Sequence, residues 1–181
     1  MNIDILIWNI IKIISLPKIF FYRLFYGIKL PLWSIIFWMP KIRYWKKIKI
    51  WKWFQIWRFS RLSWDIKIWN NFFMNEFWTI SSSWNSNSKI IIWNDVLIGP
   101  LFYMISWDHW FIKWEKINSS NNWKFWDIKI WNNVWIWARV TILKWVHIWD
   151  NVVIWAWSVV VKSIKSNSLA VWNPCTVIKK I

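Results

Sequence analysis

Three side chains in this 181-residue sequence have ordinary chemistry that is acid–base or nucleophilic near neutral pH: His109, His147 and Cys175. A neutral imidazole in that range can take a proton from an attacking hydroxyl, so each histidine is a candidate general base. Cys175 lies six residues from the C-terminus and reads as a small residue in a tail turn. A single cysteine excludes an internal disulfide and fits a reducing compartment. His147 falls in the phrase Lys144-Trp145-Val146-His147-Ile148, inside a regular repeat, and reads as structural. His109 follows Asp108, which has two readings: it orients the imidazole or touches a substrate, or it serves a loop turn. What separates the two histidines is the element that must carry each.

That element is a repeat. Aliphatic residues fall every six positions at Ile50, Ile56, Leu62, Ile68, Met74, Ile80, Ile92, Ile98 and Met104, with one broken rung at Ser86. A second ladder of the same period runs Ile130, Ile136, Ile142, Ile148, Ile154 and Val160. A helix would repeat at 3.6 residues and a simple strand at two, so a strict period of six means short strands joined by turns in a solenoid. Met104 and Ile130 are 26 residues apart, which is not a multiple of six. A loop of about twenty residues must therefore leave the coil between the ladders. His109 stands at the start of that loop.

The slot after each ladder residue should be a corner that wants a small residue, often one able to adopt positive φ. Here it holds Trp51, Trp57, Trp69, Trp93, Trp131, Trp137, Trp149 and Trp155, and once Gly99. The chain has 25 Trp and 2 Gly, the reverse of ordinary usage, in a background rich in Ile, Lys and Asn. The expectation is that most Trp stand where the cell inserts glycine, through a UGA codon read as glycine.

With Trp read as Gly, the stretches IKIWNNVWIWARVTI, VHIWDNVVIWAWSVVV and AVWNPCTVIKKI resemble the C-terminal half of the hexapeptide-repeat acyltransferases. The match runs over roughly residues 48–181 and is most similar to maltose and galactoside acetyltransferases and to capsule or lipopolysaccharide O-acetyltransferases. In that pattern position 135 is itself Trp, so Trp135 is kept as genuine. The resemblance implies an all-β, left-handed parallel β-helix, a homotrimer with sites between subunits, acetyl-CoA as co-substrate and no metal. It makes His109, in MISWDHWF from Met104 to Phe111, the base of an O-acetyl transfer, with backbone N–H groups facing the developing oxyanion. It also implies that Asn75, in MNEFWTI, contacts the acceptor along with Asp108, and that Trp135 walls the acyl and pantetheine tunnel. Coenzyme A would lie along the groove between subunits against Gly99, Ala138, Ala156, Val161 and Lys162, with Lys179 near the adenosine phosphates. Val161 replaces a Thr frequent in the family and removes a hydroxyl contact.

The expected domains are 1–47, an apolar basic segment without an assignable motif, and 48–181, the β-helix with its loop at 107–127. Lys12, Lys18, Arg23 and Lys29 interrupt the apolar runs of the first segment, which suits packing or a membrane surface better than a spanning helix. The expected location is cytoplasmic, or peripheral at the inner face of the membrane. A formal charge of +16 favours anionic partners such as coenzyme A or lipid. No nucleic-acid motif accompanies it. The expected function is transfer of acetyl to a sugar hydroxyl in surface polysaccharide or saccharide metabolism. Alternatives are a xenobiotic acetyltransferase of the streptogramin or chloramphenicol type, and a non-enzymatic β-helix binding module. A γ-class carbonic anhydrase would need three His on zinc, and this chain has two.

Overall fold

The computed structural model describes residues 13–21, 35–36, 41–43, 48–51, 54–56, 61–83, 87–109, 113–114, 116 and 123–181. Trp57, Ser86, Trp110 and most of the 1–47 segment and of the loop interior lie outside them. The described residues form a left-handed parallel β-helix with three faces. The first face stacks Lys49–Ile50, Ile66–Ile68, Ile90–Ile92, Ile128–Ile130 and His147–Ile148. On the second, Phe54–Ile56, Phe72–Met74, Val96–Ile98, Val134–Ile136, Val152–Ile154 and Ser168–Val171 follow one another. Lys41–Arg43, Arg61–Ser63, Thr79–Ser81, Tyr103–Ile105, Thr141–Ile142 and Val159–Val160 make the third, and Ile35–Ile36 extends the second by pairing with Gln55 and Ile56. An antiparallel strand, Thr176–Lys180, closes the C-terminal end against Ser168–Val171.

The ladder residues are the core. Ile68, Met74, Ile80, Ile92, Ile98, Met104, Ile130, Ile136, Ile142, Ile148, Ile154 and Val160 are all fully buried. They stack on their counterparts one coil away, as Ile98 does on Met74 and Ile136. Burying each aliphatic side chain stabilises by roughly 1.5–3 kcal/mol before entropy is charged against it. A regular coil spans three hexads, so asparagine and aspartate at one corner meet 18 residues apart, as Asn132 and Asp150 do. The corner between first and second faces carries a ladder of such amides. Asn70 Nδ2 donates to Asn94 Oδ1, Asn94 Nδ2 to Asn132 Oδ1, and Asn132 Nδ2 to Asp150 Oδ1, at 2.8–2.9 Å.

Two coils are longer. The Asn70–Asn94 step is 24 residues and the Asn94–Asn132 step is 38. Both excesses leave at one corner, between third and first faces. The larger is the loop required by the break between the ladders. The smaller falls between the strands ending at Ser81 and beginning at Ile90, where Ser82 Oγ donates to the Ser88 carbonyl; the broken rung at Ser86 lies outside the described residues.

The corner slots also differ from expectation. Positive φ falls on Asn71, Asp95, Asn133 and Asn151, three residues after a ladder residue rather than one. Trp51, Trp69, Trp93, Trp131 and Trp149, in the slot immediately after, do not adopt positive φ; their rings stack outward in a column with centroids 4.1–5.6 Å apart. Their N–H groups continue the inter-coil bonding, as Trp131 N does to Ile148 O at 2.8 Å. Residues 13–21 form a helix, and among the described residues no helix is long and apolar enough to cross a membrane.

If the rungs carry the fold, Ile136→Ala should lower unfolding free energy by about 2–5 kcal/mol in a denaturant titration. Exposed Lys165→Ala should stay within about 0.5 kcal/mol of the parent.

Candidate active site

The corner between third and first faces gathers most of the reactive chemistry. It is lined from within by buried serines: Ser63 Oγ donates to Ser81 Oγ at 3.0 Å, Ser82 Oγ donates to the Ser88 carbonyl at 2.6 Å, and the Ser88 and Ser106 hydroxyls are 2.8 Å apart. Mutual hydrogen bonding lets these hydroxyls lie dry beneath the detours. Ser106 then opens the loop. Trp126 N donates to Ser106 O at 3.0 Å, tying its neck, and Trp107–His109 pairs antiparallel with Trp123–Phe125.

His109 projects from this hairpin three residues beyond the neck. It is exposed, and its ring centroid is 3.6 Å from that of Trp123. Asp108 fixes the backbone there: one carboxylate oxygen accepts from His109 N at 2.8 Å, and the other accepts from Lys144 Nζ at 2.6 Å. Lys144 comes from the next coil, two residues past the ladder residue Ile142. The ion pair thus pins the strand that carries His109 to the solenoid. With side chains 20% and 53% exposed, it contributes at most about 1 kcal/mol to stability, so its effect is positional. Sequence reasoning missed Lys144, which lies 36 residues from Asp108. The available signal was register: Ile142 pairs with Met104, placing Lys144 beneath the residues that follow Met104.

Below Lys144, the same corner forms an open recess of about 460 Å³ lined by Leu143, Lys144, Trp145, Val161, Lys162 and Ser163. Two lysines on an open recess give it a positive charge that suits an anionic group. The structure therefore brings His109, Asp108, Val161 and Lys162 to one corner. It places Asn75, Gly99, Ala138 and Ala156 on another, between second and third faces. There the coils run so close that a Cβ on Gly99 would lie 2.6 Å from Ala138 N. Trp135 lies mid-strand on the outside of the second face, partly exposed and stacked on Trp137. Lys179 is exposed on the closing strand opposite Leu169. Cys175 is buried in the turn before that strand, and burial pushes its thiol pKa up, away from nucleophilic use. Among the described residues no group of His, Cys, Asp or Glu could hold a metal ion.

No protein-family model and no curated protein matches the sequence. Solved structures do match the fold. An N-acyltransferase, AntD from Bacillus cereus, in complex with dTDP and 3-hydroxybutyryl-CoA, aligns with TM-score 0.72 and 18% identity over 81% of this chain and 79% of its own. A maltose O-acetyltransferase from Clostridium difficile aligns with TM-score 0.57 and 28% identity, covering 81% of this chain and 68% of its own. The fold is that of the hexapeptide-repeat acyltransferases. A galactoside acetyltransferase in complex with coenzyme A shares 28% identity at TM-score 0.56, over 80% of this chain and 62% of that one.

His147, on the first face, donates its backbone N–H to Ser163 Oγ. Burial first, and then the Lys129 charge, hold its imidazole pKa below the ordinary value against the opposing pull of Asp127. A depressed folded-state pKa means the unfolded chain takes the proton first. The stability from a neutral His147 is thus present above the unfolded value of about 6.5 and is lost as pH falls from there towards the folded one. Urea titrations at about pH 7.5 and about pH 5.5 should show the parent losing more stability on acidification than His147→Gln. Equal losses would remove His147 from the acid response.

Proposed function

We propose that this chain is an acetyl-CoA-dependent O-acetyltransferase acting on a sugar hydroxyl, with His109 as general base. The observation that carries the reading is the placement of His109 at the loop neck. It shares a corner with the cationic recess at Lys144 and Lys162, on a fold whose solved counterparts at 28% identity include maltose and galactoside acetyltransferases. Acetyl-CoA supplies an activated acyl group as a thioester. His109 accepts the proton of the acceptor hydroxyl as its oxygen attacks the thioester carbonyl, and the departing thiolate recovers a proton from the imidazolium. Charge developing on the carbonyl oxygen is met by backbone N–H groups at the coil edge. Asp108 and Lys144 hold the base on the solenoid, and Lys162 and Lys179 meet phosphates.

The separation of the predicted residues onto two corners supports a homotrimer. In that assembly the corner carrying Asn75, Gly99, Ala138 and Ala156 faces the His109 corner of an adjacent copy, and coenzyme A lies between. Trp135 walls the acyl end, and Asn75 and Asp108 contact the acceptor. The site of action is cytoplasmic, with the basic apolar segment 1–47 suited to the inner membrane face. Surface polysaccharide or a saccharide metabolite supplies the acceptor.

A thiol-release assay with acetyl-CoA and a panel of saccharides should detect transfer. His109→Ala should lower turnover about 10²–10⁴-fold with unchanged melting temperature; undiminished turnover would refute the assignment. Chloramphenicol or a streptogramin accepted in place of every sugar would move the acceptor class to xenobiotics. Lys144→Ala should reduce kcat with little change in melting temperature, and Lys144→Arg should restore part of it.

A further inference from the structure

The corners of the solenoid bear on what the gene encodes. Among the described residues, thirteen non-glycine residues have positive φ, and Asn, Asp and Trp account for ten of them. Asn71, Asp95, Asn133, Asn151 and Asn167 are expected there, because short polar side chains tolerate the left-handed region. Trp64, Trp114, Trp145, Trp157 and Trp172, with φ of 65–81°, are not: a bulky side chain in that region is an outlier, while glycine enters it freely. Trp145 and Trp157 occupy the slot three residues past a ladder residue that Asn71, Asp95, Asn133 and Asn151 fill elsewhere. Phe77, Leu101 and Arg139 also adopt positive φ in that slot, so the dihedral alone does not demand glycine.

A second, independent observation comes from the slot immediately after a ladder residue. Gly99 occupies it once, and there a Cβ would meet Ala138 N at 2.6 Å and Trp137 C at 2.8 Å. At Gly99 the next coil therefore approaches closely enough to exclude a side chain. At Trp137, one coil on, the indole Nε1 is buried without a hydrogen-bond partner. Trp78 Nε1, buried beneath the same corner, is likewise unsatisfied. A buried donor without a partner loses its hydration for nothing in return. Exchanging indole for hydrogen removes the outlying φ at five positions and the stranded donors at two more.

We propose that the living chain carries glycine at Trp64, Trp114, Trp145, Trp157 and Trp172, where φ is positive, and at Trp78 and Trp137, where the indole donor is stranded, the codon being UGA decoded as glycine. Trp135 is the counter-case: mid-strand, pointing outward and without positive φ, it stays tryptophan. The exchange alters the site as well. Trp145 lines the recess beside Lys144 and stacks on Trp126, so glycine at 145 widens the seat between Lys144 and Lys162.

Peptide mass spectrometry on the protein purified from the cells that naturally make it tests this directly. Peptides covering 145, 157 and 172 should carry glycine masses, with tryptophan retained at 135. Tryptophan masses at 145, 157 and 172 would overturn the proposal. Two synthetic genes give a second readout, one as printed and one with Trp64→Gly, Trp114→Gly, Trp145→Gly, Trp157→Gly and Trp172→Gly. The glycine form should melt about 10 °C or more higher. An equal or lower melting temperature would contradict the backbone argument even if the masses agreed.

Discussion

Each coil must bring its next aliphatic residue directly beneath the one before, because parallel hydrogen bonding and core burial are satisfied by the same superposition. The Ile98–Ile136–Ile154 column shows the coupling: the three residues pair in register and all are fully buried. A slip of one residue would turn these side chains outward and cost both terms at once. The constraint leaves the chain a single freedom. Extra residues can leave only at a corner, provided the chain re-enters on register.

Here both excursions leave at the corner between third and first faces, and reactive groups accumulate there in consequence. A loop emerging from a rigid coil has a fixed base and an adaptable tip, so a side chain close to the neck is held more firmly than one further out. His109 is three residues from Ser106, and the Asp108–Lys144 pair ties its strand to the following coil. The recess lined by Lys144 and Lys162 then falls along the same edge without further design, since those coils stack beneath the loop.

The fold was legible because a period of six is written into single residues and survives whatever stands between them. The loop was legible for the same reason: an interval of 26 cannot be hidden in a six-residue ladder. The lengthened Asn70–Asn94 step did not show in the ladder, because 24 residues are a whole number of hexads and six extra residues preserve the arithmetic. The positive-φ slot was misplaced by two residues, because the sequence shows where unusual side chains recur and not which dihedral each one takes. Lys144 went unseen because its partner is local only in three dimensions. Asn75 and His109 read as members of one site, yet the fold sets them on different corners of a single chain, a separation that linear spacing does not encode.

In the proposed homotrimer that separation would make the assembly part of the chemistry, and subunit mixing tests it most directly. His109→Ala and Asn75→Ala proteins, each inactive or nearly so alone, would be unfolded together, refolded as a mixture and assayed for acetyl transfer. If the base and the acceptor contact come from adjacent copies, the mixture recovers a substantial fraction of parental activity through sites that combine an intact His109 with an intact Asn75. A mixture no more active than its two components would contradict the shared site.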